Sequence, residues 1–190
     1  MPLQGKTALI PGASRPIGRA IAHKFASQGA TLILPVFDWP ESILEMEQEF
    51  TSAGYNFYIT RTDLRKKNEV VQLAECINSQ TNSLDFLINN IERGGMPVVH
   101  GSYDHPHNED QWDVEFSTTV KAKWLLFHHL FPLMQQRTGA AVVNISSIAG
   151  ITGRSGAAAV FFNDGYSAAN KAIQSFTETW AREAAPFVRV

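Results

Sequence analysis

Gly12-Ala-Ser-Arg-Pro-Ile-Gly18 joins a short apolar run to an amphipathic stretch, and its composition suits it to hold a phosphate. A glycine-bearing turn between a strand and a helix N-terminus lets backbone N–H groups and the positive end of the helix dipole face an anion. Two glycines also serve a tight strand–helix turn for backbone reasons alone, so the turn needs company before it means a ligand. A second group with chemical potential is His100, Asp104, His105, His107 and Asp110. Imidazole and carboxylate are suitable metal ligands, but this spacing matches no defined zinc pattern, and no metal is expected. Cys76 lies among Leu73, Ala74 and Ile77 in a helical pattern and reads as a core or near-core thiol. Asn144-Ile145-Ser146 has the form of a glycosylation sequon but falls on a buried strand, so it is set aside.

The elements that must position such residues alternate along the chain. Thr7–Ile10, Thr31–Leu34 (closed by Pro35), Phe57–Thr60, Leu84–Ile88 and Ala141–Ile145 are short apolar runs of strand character. Helical spacing of apolar residues fills the gaps. Ile17, Ile21, Ala22 and Phe25 form one stripe, Ile43, Met46 and Phe50 another, and Val70, Val71, Ala74 and Ile77 a third. The second of these helices opens at Asp38 or at the Trp39-Pro40 step. A long helix is expected from about Glu109 to Arg137, its stripe of Trp112, Phe116, Val120, Trp124, Phe127 and Phe131 wide enough for burial on two sides. Tyr166–Ala184 forms the last helix. His128 and His129 lie on the long helix, one facing a partner surface and the other solvent. Strands alternating with helices imply parallel pairing and right-handed crossovers, hence a doubly wound, mostly parallel Rossmann-type α/β sheet in three layers. Runs such as Leu32-Ile33-Leu34 are apolar on both faces, as a sheet covered by helices on each side requires.

The 190 residues suit a single domain spanning 1–190. A net charge of −2, with no clustering of Lys and Arg, argues against nucleic acid as a partner. No apolar run approaches the roughly 20 residues a membrane helix needs. Gly5-Lys6 leads straight into the first strand, leaving no room for a signal peptide, and a lone cysteine fits a reducing compartment. The expected location is the cytoplasm.

After the Gly12–Gly18 turn come Asp63-Leu64 behind the third strand, Asn89-Asn90 ending the fourth, Asn144-Ile-Ser-Ser-Ile-Ala-Gly150 ending the fifth, and Tyr166-Ser-Ala-Ala-Asn-Lys-Ala172 opening the last helix. In this order the pieces resemble the short-chain dehydrogenase/reductase family, particularly the 3-oxoacyl-carrier-protein reductases, over the whole chain. The resemblance implies hydride transfer between NAD(P)H and a small-molecule carbonyl or alcohol. It gives Ser147 the role of orienting the carbonyl oxygen and Tyr166 that of general acid and base. Gly12, Ser14, Arg15, Ile17 and Gly18 match the phosphate turn. Asp63 and Leu64 match the adenine contact, and Asn89 and Asn90 the floor under the cofactor. Val36 stands where NAD-using relatives often carry an acid, and Arg15 is placed to pair with a 2′-phosphate, so NADP is favoured while NAD stays possible. Asp38 reads either as a ribose contact or as a helix N-cap, with the cap preferred.

Several positions depart from the family pattern. The family's lysine falls at position 170, where this chain has Asn170, and Lys171 comes one residue later. Positions i and i+4 of a helix lie about 40° apart and i and i+5 about 140°, so Lys171 does not replace it without a register shift. Pro16 replaces the middle glycine of the turn and removes an N–H. Pro11 stands in for a threonine, Thr119 for a helix asparagine, and Ile91-Glu92 for a small Ala-Gly pair, with the Glu92 carboxylate expected near the cofactor phosphates. Gly156–Asp164 lengthens the spacing between Ser147 and Tyr166. The chain stops at Val190, where a sixth strand would begin; the usual last strands and substrate lid are expected to be missing, with strand five left as an open edge. Two readings follow: an NAD(P)-dependent oxidoreductase, or a non-catalytic relative serving as a nucleotide-binding or assembly module. A homodimer or homotetramer is expected through the aromatic surface of Trp112, Phe116, Trp124, Phe127, Phe176 and Trp180.

Overall fold

The computed structural model describes residues 1–92, 112–153 and 164–190. The histidine–aspartate group at 100–110 and most of the lengthened 156–164 segment lie outside the described residues.

β1 (Thr7–Leu9), α1 (Pro16–Ser27), β2 (Thr31–Val36), α2 (Pro40–Ser52) and β3 (Phe57–Arg61) form the first half. α3 (Lys67–Thr81) then crosses to β4 (Phe86–Asn89). A helix described from Trp112 follows, π-helical over Phe116–Lys121 and α-helical as α4 (Ala122–Met134). β5 (Ala141–Asn144), the single-turn α5 (Ala149–Thr152) and α6 (Asp164–Glu183) complete it. The five strands run parallel in the order β3-β2-β1-β4-β5. The order reverses between β1 and β4, which opens a crevice at their carboxyl ends, where sheets of this kind bind ligands.

Alternation along each strand builds two cores. Leu9, Ile33, Leu87 and Val142 meet α3, α4 and α6 on one face, while Ala8, Ile10, Leu32, Leu34 and Ile88 meet α1 and α2 on the other. At the other end of the sheet, Asp85 is 1% exposed and gathers three segments. It accepts from the Thr7 amide at 2.9 Å, from Lys6 at 2.9 Å and from Arg137 at 3.1 Å. Burial alone pushes the Asp85 carboxyl up, but these donors outweigh it and hold it below its ordinary value. A carboxylate whose folded value is lowered stabilises the fold above its unfolded pKa, and that contribution is lost as pH falls through the folded value. Asp85→Asn is therefore expected to cost about 2–3 kcal/mol at neutral pH. The gap from the parent should narrow in urea melts taken below about pH 4; a gap that does not change with pH contradicts this account.

Four expectations need correction. Pro35 does not close β2 but lies within it, paired in register with Thr60 of β3. Odd-numbered residues of β2 bond toward β1, as Thr31 to Lys6 and Ile33 to Ile10 show, so the N–H that Pro35 lacks points past the end of β1. Asp38 is not the N-cap of α2. Pro40 takes the first helical position, which makes Trp39 the cap at φ +68°, without a side-chain bond. The edge of β5 is not bare, because Arg189 accepts from the Val142 amide at 2.7 Å and donates to Ala140 at 3.1 Å. Finally, the aromatic stripe is largely spent within the chain. Phe127 and Trp180 stack at 4.3 Å, Phe176 and Trp180 at 5.2 Å, and Trp112 and Trp124 remain exposed.

Candidate active site

The Gly12–Gly18 turn leaves β1 and enters α1 with Pro16 in the first helical turn. Gly12 has φ +73°. A Cβ on Gly18 would lie 2.2 Å from the Gly12 carbonyl oxygen, so the turn closes only because both residues lack one. No side chain caps α1 and its first turn holds no acid, leaving the Ile17 and Gly18 amides at an electropositive helix end. Ser14 is buried, and its carbonyl accepts from Arg19 at 2.9 Å. Arg15 turns toward the end of β2, its guanidinium 4.5 Å above the Trp39 ring and 3.4 Å from the Ser42 hydroxyl. A pyrophosphate fits this turn on the strength of the uncapped amides and of a first helical turn that carries no acid.

Asp63 is held by a two-pronged Arg65 pair at 2.8 and 2.9 Å, and this hydrogen bonding keeps its carboxyl below the usual range against the opposing effect of burial. Leu64 turns its side chain into the core. Arg65 also lies over Phe37 and feels the charge of Asp38, which accounts for Asp38 without a capping role. Asn90 packs against Gly12 and Gly18. Asn89 does not join it, because successive strand residues face opposite ways. Its amide donates instead to Asn144 at 2.8 Å, and Asn144 in turn donates to Thr177 on α6 at 2.9 Å.

At the carboxyl end of β5 the chain folds into α5. The Ser147 hydroxyl accepts from the Ala149 amide at 3.2 Å. A Cβ on Gly150 would lie 2.9 Å from the Asn170 backbone, so this glycine lets α5 settle directly on α6. The contact brings Ser147 to Tyr166, whose phenol oxygen it hydrogen-bonds. Tyr166 is 5% exposed and donates to Glu92 at 2.9 Å. Burial pushes the Tyr166 phenol up to about 12, opposed by the Ser147 bond and reinforced by the Glu92 charge. Glu92 thus stands beside the phenol rather than against the phosphate turn, a correction to the expectation from sequence.

Asn170 is fully buried. Its amide donates to the Tyr166 carbonyl at 3.1 Å, while its Oδ1 finds no partner among the described residues. Lys171 faces solvent and donates to Gln174 at 3.1 Å, so it does not meet the phenol. Thr119, also fully buried, donates to Glu115 within the π-helical turns. Sequence reasoning missed Lys123, which is 0% exposed and donates to the Ile145 carbonyl at 2.6 Å. The signal was available: a lysine flanked by Ala122, Leu125 and Leu126 sits on the apolar face of a helix.

Among known proteins, the family model described as short chain dehydrogenase matches residues 6–190. A fatty acyl-CoA reductase of Acinetobacter baylyi is 34% identical over 150 residues, covering 77% of this chain and 48% of that protein. A 3-oxoacyl-[acyl-carrier-protein] reductase of Staphylococcus epidermidis is 27% identical over 180 residues, or 95% and 69% of the two chains. The chain thus spans about half the length of the first relative. Among solved structures, a metagenomic short-chain oxidoreductase in complex with NADP superposes with a TM-score of 0.83 at 28% identity, covering 100% of this chain and 81% of that one.

Proposed function

The chain belongs to the short-chain dehydrogenase family, and from that premise we propose that it is an NAD(P)-dependent oxidoreductase acting on the carbonyl or alcohol carbon of a small molecule. The observation that carries this reading is the hydrogen bond between Ser147 and Tyr166 at the carboxyl edge of the sheet. A bound nicotinamide dinucleotide supplies or accepts the hydride. Everything else falls to the chain's own groups. The Ile17 and Gly18 amides hold the pyrophosphate. Ser147 hydrogen-bonds the substrate oxygen. Tyr166, neutral at ordinary pH, gives that oxygen a proton in reduction and takes one from it in oxidation.

NADP is the preferred form in this reading. Arg15 projects beside Trp39 and Ser42 at the end of β2, where a ribose 2′-phosphate gains a cation, and Val36 puts no acid there to hold a free 2′-hydroxyl. Titrating the protein with NADPH while following its fluorescence tests the whole proposal, since saturable binding at micromolar levels is expected and its absence removes the reading. Arg15→Ala is expected to weaken NADPH by about tenfold to a hundredfold while NADH changes little, because a charge-assisted bond is worth about 1.5–3 kcal/mol. Equal losses for both dinucleotides would place Arg15 elsewhere.

The same reading has the protein assemble as a homodimer or homotetramer, with the exposed Trp112 and Trp124 available at its surface. It also places the chain in the cytoplasm, which suits its lone free thiol. Among the described residues no helix is long and apolar enough to cross a membrane.

A further inference from the structure

A phenol that gives up its proton beside a carboxylate becomes the second negative charge in one pocket. Tyr166 is in that position: it donates to Glu92 at 2.9 Å, and the charges of Glu92 and Glu115 both oppose its ionisation. Asn170 brings no charge to the pocket, and Lys171 is turned outward. The α4 helix supplies what α6 does not. We infer that Lys123 is the cationic positioning residue of this site, its ammonium offsetting Glu92 beside the Tyr166 phenol while holding the end of β5 that leads to Ser147. This inference rests on the oxidoreductase reading above.

Three observations carry it. Lys123 is completely buried on a helix whose neighbouring residues Ala122, Leu125, Leu126 and Phe127 are buried too, a position where a methionine or leucine would avoid the cost of desolvating an ammonium. Its Nζ lies 2.6 Å from the carbonyl of Ile145, two residues before Ser147, so the amine is anchored to the backbone that sets the serine in place. The same two carboxylates that act on Tyr166, Glu92 and Glu115, also act on Lys123. Glu115 precedes the π-helical stretch that leads into α4, Glu92 comes from the loop after β4, the phenol from α6 and the Ile145 carbonyl from the end of β5. Burial draws the Lys123 ammonium down to about 8, with Glu92 and Glu115 holding it up, so it is largely charged at neutral pH.

The step this serves is simple. In reduction the Tyr166 O–H bond breaks, the proton goes to the substrate oxygen as hydride reaches the carbon, and a phenolate remains beside Glu92. With Lys123 charged, the phenolate, Glu92 and Glu115 are offset by one positive charge, which the pocket lacks when Lys123 is neutral or replaced. In oxidation the proton moves from the alcohol to the phenolate, and the same ammonium makes that phenolate accessible.

Lys123→Met, Lys123→Arg and the double variant Lys123→Met/Glu92→Gln test the assignment. Lys123→Met is expected to lower kcat by about tenfold or more, with the KM for NADPH unchanged. Lys123→Arg should keep activity within a few-fold, and adding Glu92→Gln to Lys123→Met should restore most of the loss, a rescue that a purely structural lysine does not produce. A readout free of turnover is the Nζ resonance of Lys123 in nitrogen-15-lysine-labelled protein. It should titrate near 8 in the parent and lower in Glu92→Gln, a measurement that stands even where Lys123→Met does not fold. An Nζ titration unmoved by Glu92→Gln, or a Lys123→Met enzyme with parental kcat, overturns the role of Lys123 and leaves the oxidoreductase reading intact. A parent protein that neither binds NADPH nor turns over overturns both.

Discussion

Tyr166→Phe is expected to lower kcat for carbonyl reduction by about a hundredfold to ten-thousandfold, with little change in NADPH affinity. The substitution keeps the buried ring and removes only the hydroxyl shared by Ser147 and Glu92. Stability should fall by about 1 kcal/mol, the net worth of a typical hydrogen bond, so the loss of rate will not be a loss of fold. The direction of the pKa shift adds a second, sharper expectation. With the phenol at about 12, its protonated form predominates throughout the neutral range, so proton donation in reduction should be insensitive to pH there. Oxidation needs the phenolate, whose fraction rises about tenfold per pH unit below that value. The oxidation rate should therefore climb with pH while the reduction rate stays level, up to about pH 8, where Lys123 begins to lose its charge. A Tyr166→Phe protein that reduces its substrate within a few-fold of the parent removes the phenol from the chemistry.

The architecture was legible because it is written in period and punctuation. Five apolar runs separated by helical stripes could be read directly, and each observed strand overlaps one of them, with ends shifted by a residue or two. What escaped were features decided by a neighbouring strand or helix. Pro35 reads as a stop, and only the early departure of β1 lets it sit inside β2. The Arg189 pairing with β5 has no periodic signature in three residues of chain. At the site, the Ser147 and Tyr166 segments were visible as motifs, but the partners of Tyr166 were not. Glu92 lies 74 positions from it in sequence, and nothing local shows which of several nearby groups a carboxylate will meet. Lys123 was hidden for a different reason. It occupies an apolar face, and pattern reading treats such a position as core once its neighbours are Leu and Ala. A charged residue in that register is informative because desolvation makes it costly to keep.

Gly18→Ala should be the most damaging single methyl group in the crevice. Its Cβ would stand 2.2 Å from the Gly12 carbonyl oxygen, 2.6 Å from the carbonyl carbon and 2.7 Å from the Asn90 amide nitrogen. Two of these three atoms are backbone, so no change of rotamer relieves the clash. Either α1 slides away from β1 or the Gly12 turn opens, and overpacking of this kind typically costs about 1–3 kcal/mol. The functional loss should exceed the loss of stability. The Ile17 and Gly18 amides are proposed to hold the pyrophosphate, and a displacement of about 1 Å in such a positioning element can cost a hundredfold. Ile17→Ala is the control, because that side chain is 64% exposed and its removal leaves the turn's backbone alone. Calorimetric titration with NADPH, paired with thermal melts, separates the two effects. If Gly18→Ala binds NADPH as tightly as Ile17→Ala does, the turn is not where the dinucleotide sits, and the close approach of Gly18 to Gly12 serves only to join a strand to a helix.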